Sequence, residues 1–225
     1  MPTLVAVRHG RSSANVGNTL AGRTPGIALD DVGRSQAMGV GERLRGITPA
    51  VAVRSPLLRC HETMDLALQS AALDLTPLVD DRLIECDYGD WTGKLLSELT
   101  QTPLWQTVQS EPSKVRFPGG EAMLELRQRV LAAVADRNAS LDERDVWLLV
   151  GHADPIRIIL AEALGAPFDD FQRICVDPAS ISVIHYPSLG KPLVLTVNAL
   201  EGQLRRWLPS GPVAPVVGGG SGTPD

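Results

Sequence analysis

Residues 3–7 (TLVAV), 50–53 (AVAV) and 146–150 (VWLLV) are short apolar runs rich in β-forming side chains, each ending at a polar or charged position. Runs of this length and type predict strands buried on both faces. A weaker run at 75–79 predicts a further strand. Residues 180–186 and 193–197 predict two more, placed at the edge of the sheet. Between these runs the spacing of apolar positions turns helical. It predicts helices over 32–44, with Asp30 as the N-cap, and over 57–72, with Pro56 tolerated at the start. Two more are predicted over 121–141 and 155–164. Residues 83–111 read as irregular chain with short helices, and Phe117-Pro-Gly-Gly120 breaks the chain before the long helix at 121.

Strands alternating with helices predict an α/β fold: a three-layer αβα sandwich with a mostly parallel central sheet. One domain is expected over 1–208. The Pro/Gly-rich segment 209–225, ending GGGSGTPD, is expected to be a disordered tail.

The chain has 225 residues, enough for a full core without disulfides. Its net charge is −5 and it has no run of Lys and Arg, which argues against a nucleic-acid partner. An anionic ligand must therefore be drawn by local arginines. The three cysteines, Cys60, Cys86 and Cys175, are far apart in sequence and odd in number, as expected of free thiols in a reducing, cytoplasmic setting. No apolar stretch is long enough for a membrane span. The first residues lack a leader's charged and apolar regions. A zinc site built from Cys60, His61, Cys86 and His152 does not match common ligand spacings, so no metal is expected.

In parallel sheets the loops at the carboxyl ends of the strands converge on one crevice. The first strand runs into Arg8-His9-Gly10, the second into Ser55 with Arg59 a turn later, and the strong late strand into Gly151-His152. Guanidinium forks and glycine-rich turns are what a phosphate pocket needs. Taken alone, each of these signals is weak.

Together, RHGRSSAN (8–15), SPLLRCHET (55–63), LIECDYGDWTG (83–93), PGGE (118–121) and VGHADPIR (150–157) resemble the histidine phosphatase superfamily, also called phosphoglycerate-mutase-like. The resemblance spans residues 3 to about 186. It implies that His9 is the phosphorylated nucleophile, that Arg8, Arg59 and His152 form the phosphate pocket, and that Glu85 is the proton donor. It places Ser12 and Asn15 among the contacts to substrate or phosphate. It implies a small phosphorylated metabolite as substrate and no cofactor. His152 is expected to be protonated, and activity to favour mildly acidic pH. Asp87 and Asp90 compete with Glu85 for its role. Arg11, Arg23, Lys94, Lys114 and Arg116 are candidates for anion recognition, though solvated positions suit each of them. Trp91 and Trp105 are expected either to line the substrate pocket or to pack in the core. His61 is expected to face solvent or pack beside its helix, and His185 reads as structural.

Two departures matter. Ala153 stands where relatives commonly carry glycine, and Asp154 follows it. Ala153 is expected to tighten the pocket, and Asp154 to favour a charged His152. In the first block Arg11 and Ala14 replace the Glu and Trp of the mutase branch, and the span 93–117 is shorter than that branch's insertion. The reading is therefore a phosphatase. A phosphomutase and a phospho-ligand binding module without turnover are the alternatives. A homodimer through an edge strand is a further expectation.

Overall fold

A computed structural model describes residues 2–204 and 208 of the chain. The expected tail, 209–225, lies outside the described residues. Six strands form one sheet: β1 (Thr3–Arg8), β2 (Val51–Arg54), β3 (Leu78–Val79), β4 (Val146–Gly151), β5 (Ile181–His185) and β6 (Leu193–Ala199), in the order β3-β2-β4-β1-β5-β6. The pairs β3/β2, β2/β4 and β4/β1 are parallel, whereas β5 and β6 add in antiparallel fashion. The sequence pattern places β5 at the edge. It is instead an interior strand with every residue buried, because it pairs with both β1 and β6.

The described residues form seven α-helices: α1 (Ser13–Val16), α2 (Asp31–Leu44), α3 (Leu58–Ala71), α4 (Leu96–Leu99), α5 (Pro103–Ser110), α6 (Met123–Ala139) and α7 (Ala153–Leu164). Alternation along the central strands divides the core into two halves. Val5 and Val7 of β1, with Leu148 and Val150 of β4, pack on Val40, Leu44, Met64 and Ala67 of α2 and α3. Leu4 and Ala6, with Trp147 and Leu149, face Leu126, Val130, Ile156 and Ile159 of α6 and α7. The result is the expected three-layer sandwich.

α6 starts two residues later than its apolar spacing predicts. Glu121 leaves the helix to pair with Arg129 and to accept the Asp87 N–H at 2.9 Å. Two glycine-bearing loops dock here backbone to backbone. A Cβ on Gly120 would lie 2.3 Å from the Asp87 carbonyl oxygen, and one on Gly89 2.2 Å from that of Pro118.

A similar approach holds the first loop. A Cβ on Gly10 would lie 2.5 Å from the Gly33 carbonyl oxygen at the start of α2. Backbone cannot yield as a flexible side chain does. Gly10→Ala is therefore expected to cost about 1–3 kcal/mol through overpacking. A thermal melt of the variant should show a midpoint lowered by several degrees.

Candidate active site

Three adjacent parallel strands, β2, β4 and β1, deliver their carboxyl ends to one place. The residues leaving them are Ser55, His152 and His9. The ladder continues one step past the strands, with His9 N–H donating to the Gly151 carbonyl at 2.9 Å and Ser55 N–H to that of Val150 at 3.0 Å. This register sets the two imidazoles edge to face, with ring centroids 5.3 Å apart.

His9 is 4% exposed, and its Nδ1 lies 2.7 Å from the Gly10 carbonyl oxygen. A carbonyl only accepts, so Nδ1 carries the proton and Nε2 keeps its lone pair. Arg59 Nε donates to that Nε2 at 3.2 Å. Burial, then the charges of Arg59 and Arg8, hold the His9 pKa well below its ordinary value, so the ring is neutral.

His152 is fully buried, with Nε2 2.7 Å from Ser55 Oγ and 3.5 Å from Cys60 Sγ. The sequence leads to the expectation of a protonated His152, and the surroundings of the ring without a bound anion oppose that form. Burial and the nearby Arg59 push its pKa well down, so it is a neutral ring. Nor does Asp154 favour the charged form. Its carboxylate instead accepts from Tyr88 Oη at 2.7 Å and Arg157 Nη1 at 3.2 Å. Cys60 shares the burial, which pushes its thiol up to about 12 and leaves it unreactive.

Arg59, 2% exposed, is anchored by Nη2 to the Gly22 carbonyl at 2.9 Å, and Arg8 by Nη1 to that of Val176 at 2.7 Å. Both residues line the same open cleft of about 390 Å³. Among the described residues, Arg59 Nη1 and Arg8 Nε are buried donors with no acceptor. A buried donor left unmatched costs about 1–3 kcal/mol, a cost that an incoming oxyanion removes.

Two carboxyl residues, Glu85 and Asp154, line this cleft, and Glu85 is 8% exposed. One oxygen accepts the Cys86 N–H at 2.9 Å. Burial, then the charge of Asp154, raises its pKa to about 7, against the opposing pull of that N–H, Arg59 and Arg8. The rivals lie elsewhere. Asp87 accepts the Gly89 N–H and pairs with Arg23, and neither Asp87 nor Asp90 lines the cleft. The Glu85 backbone is clamped from behind. Arg129 donates to the carbonyls of Arg82, Ile84 and Glu85, and Arg23 donates to that of Glu85 as well.

Ser12 caps α1, and Asn15 returns the favour by accepting from Ser12 N–H and Oγ, both at 2.9 Å. The Asn15 oxygen is thereby used, and its NH2 is what this side chain can offer to the cleft. Ala153 also lines the cleft and is the first residue of α7, where helical N–H groups lack partners within the helix. The other basic candidates do not line it. Arg11 pairs with Asp30, Lys114 with Glu111 and Arg116 with Glu125, and Lys94 is exposed. His185 bonds Thr3 Oγ1 at 3.0 Å, a structural contact. Trp91 and Trp105 both border the cleft, with Trp91 itself buried in the core. Tyr88 and Gln172 border it too, and the sequence pattern singles out neither. Gln172 sits in a short 3-10 helix at Phe168–Arg173, where the sequence carries no periodic signal.

Residues 4–199 match the model of the histidine phosphatase superfamily, branch 1. The chain belongs to that superfamily. This histidine phosphatase superfamily chain is 33% identical over 200 residues to a protein of Mycobacterium tuberculosis named as bifunctional. That match covers 87% of this chain but only 53% of the mycobacterial one, so the chain spans about half the length of that relative. It is 32% identical to phosphoserine phosphatase 1 of Hydrogenobacter thermophilus, covering 82% of this chain and 87% of the other. Among solved structures, a mycobacterial glucosyl-3-phosphoglycerate phosphatase in complex with VO3 superposes with a TM-score of 0.77 at 27% identity. That superposition covers 88% of this chain and 98% of the other. Among the described residues, no helix of this superfamily member is long and apolar enough to cross a membrane.

Proposed function

We propose that this chain is a phosphatase that hydrolyses a small phosphate monoester through a phosphohistidine at His9. The observation that carries this reading is the pairing of a neutral, carbonyl-oriented His9 with the unmatched buried donors of Arg8 and Arg59, in a cleft that also holds a protonatable Glu85. Phosphate binding draws the Arg59 Nε–H from His9 Nε2 to a phosphoryl oxygen and frees the lone pair. Nε2 then forms the N–P bond as the ester P–O bond breaks. Arg8 and Arg59 hold the charge spread over the phosphoryl oxygens. Neutral His152, held by Ser55, contributes as a hydrogen-bonding ring and not as a cation.

The departing alkoxide takes its proton from Glu85, which is raised to about 7 and so is available near neutrality. The Glu85 carboxylate then takes a proton from water as the water oxygen bonds phosphorus and the N–P bond breaks. Glu85 is protonated again, His9 is neutral, and inorganic phosphate leaves. The Asn15 NH2, held in place by Ser12, and the first turn of α7 at Ala153 supply further donors to the phosphate.

Rapid acid-free quenching of the protein with a labelled phosphate monoester tests this. Label should appear on His9, hydrolyse in acid and persist in base. Inorganic phosphate should accumulate in step with the alcohol. Transfer of the label to a second hydroxyl of the substrate, without phosphate release, would replace this reading with a mutase. Tight binding with no label and no release would replace it with a binding module.

A further inference from the structure

We infer that the phosphate ester accepted here is that of an uncharged alcohol bearing a flat apolar ring, and that anionic alcohols are poor partners. The inference rests on the phosphatase reading above and concerns the outer part of the same cleft.

Part of the cleft lining is apolar. Leu20, Leu96, Trp105 and Val108 border it, with Trp91 and Phe117 behind. Trp105 lies 6.1 Å from Trp91 at an interplanar angle of 24°, and Trp91 meets Phe117 edge to face at 5.3 Å. Phe117 in turn meets Tyr88 edge to face at 5.0 Å. Trp105 thus comes from α5 stacked on the buried Trp91, which is itself held by Phe117. A rigid indole plane favours a flat ring at little entropic cost.

The charge of this outer cleft points the same way. A carboxylate or second phosphate on the alcohol would need a cation of its own. Beyond Arg8 and Arg59, the one cation among the described lining residues is Arg157. Its Nη1 already pairs with Asp154 at 3.2 Å, and its Nε donates to the Ile174 carbonyl at 2.9 Å. Arg157 and Asp154 together leave no net positive charge there. Two neutral amides, Gln109 and Gln172, also line the cleft, and the buried Gln172 Oε1 has no donor among the described residues. Neither amide carries the charge that a carboxylate or second phosphate would need, and either can bond a neutral hydroxyl.

The test compares three primary-alcohol esters, so that leaving-group reactivity is similar: 2-naphthylmethyl phosphate, O-phosphoserine and 3-phosphoglycerate, the last carrying a carboxylate without an amine. The expected result is a kcat/KM at least tenfold higher for the naphthylmethyl ester than for either acid. Trp105→Ala should then narrow that ratio by about tenfold, the scale of one aromatic contact. Trp105→Phe should restore most of it. Equal or faster turnover of either acid, still dependent on His9, would overturn the inference and leave the phosphatase reading in place. An unchanged ratio in a folded Trp105→Ala protein would overturn the assigned role of the indole. No phosphate released from any ester, and no label on the protein, would remove the phosphatase reading and this inference with it.

Discussion

His9→Ala should abolish phosphate release, lowering kcat by on the order of 10⁴-fold or more, as removal of a nucleophile does where the residues of a site act as a unit. The fold should survive. His9 is a neutral ring with no ion pair, and its side chain gives up one bond to the Gly10 carbonyl and one from Arg59. Leaving those groups unmatched costs about 1–3 kcal/mol each at most, and water entering the open cleft offsets part of that. Binding should survive as well, because Arg8 and Arg59 keep their anchors at Val176 and Gly22. The measurements are turnover, label retained on the quenched protein and inorganic phosphate affinity of the variant. A His9→Ala protein that still released phosphate at a tenth of the parent rate would exclude His9 as the attacking group. Loss of phosphate affinity along with turnover would instead mean that the ring organises the arginines.

Glu85→Gln is the second large expected effect, and it has two separable readouts. Turnover of an alkyl phosphate should fall by about 10²–10⁴-fold, because glutamine neither gives a proton to the alkoxide nor takes one from water. The pH profile should change shape too. In the parent, kcat/KM should hold level up to about pH 7 and fall about tenfold per unit above it, as Glu85 loses the proton that the first step needs. His9 sets no limb in that range, since its pKa is held well below its ordinary value. The variant should lack the alkaline limb.

The stability readout runs the other way. The folded pKa of Glu85 is raised from 4.5 to about 7, so over that window the unfolded chain has released a proton that the folded chain keeps. Folding stability therefore declines from pH 4.5 to 7 through this group, and glutamine is exempt. At pH 7.5 the variant should be more stable than the parent by on the order of 1–3 kcal/mol, and about equal at pH 4.5. Urea melts at the two pH values measure this. A variant less stable than the parent at both would show that the carboxylate is ionised and held by Arg8 and Arg59, the opposite of a proton donor.

Legibility of the site in the sequence follows backbone geometry. Arg8, His9, Ser55 and His152 are readable because each lies at the end of a short apolar run, and parallel strands bring such ends together whatever the intervening loops do. Arg59 is readable because it lies one turn into the helix after β2. Glu85 is harder to place, since it belongs to a segment with no period. What separates it from Asp87 and Asp90 is packing: those two dock on the 118–121 loop, whereas Arg129, distant in sequence, clamps the Glu85 carbonyl, and the Glu85 side chain lines the cleft. α1, between the first strand and the helix expected at 32–44, gives no periodic sequence signal because a four-residue helix has no room to show an apolar stripe. Its one sign is the Ser12/Asn15 pairing that caps it.

The chain's pattern of apolar runs and polar ends determined the layered α/β fold, the strand ends that carry the chemistry, and the family to which the chain belongs. Only the tertiary structure decided the protonation states. Burial beside Arg59 lowers the His152 pKa well below its ordinary value, and burial near Asp154 raises that of Glu85 to about 7. A side chain's pKa depends on the dielectric and the charges around it. Those come from residues such as Arg59, Asp154 and Arg129, scattered along the chain and brought within reach only by packing.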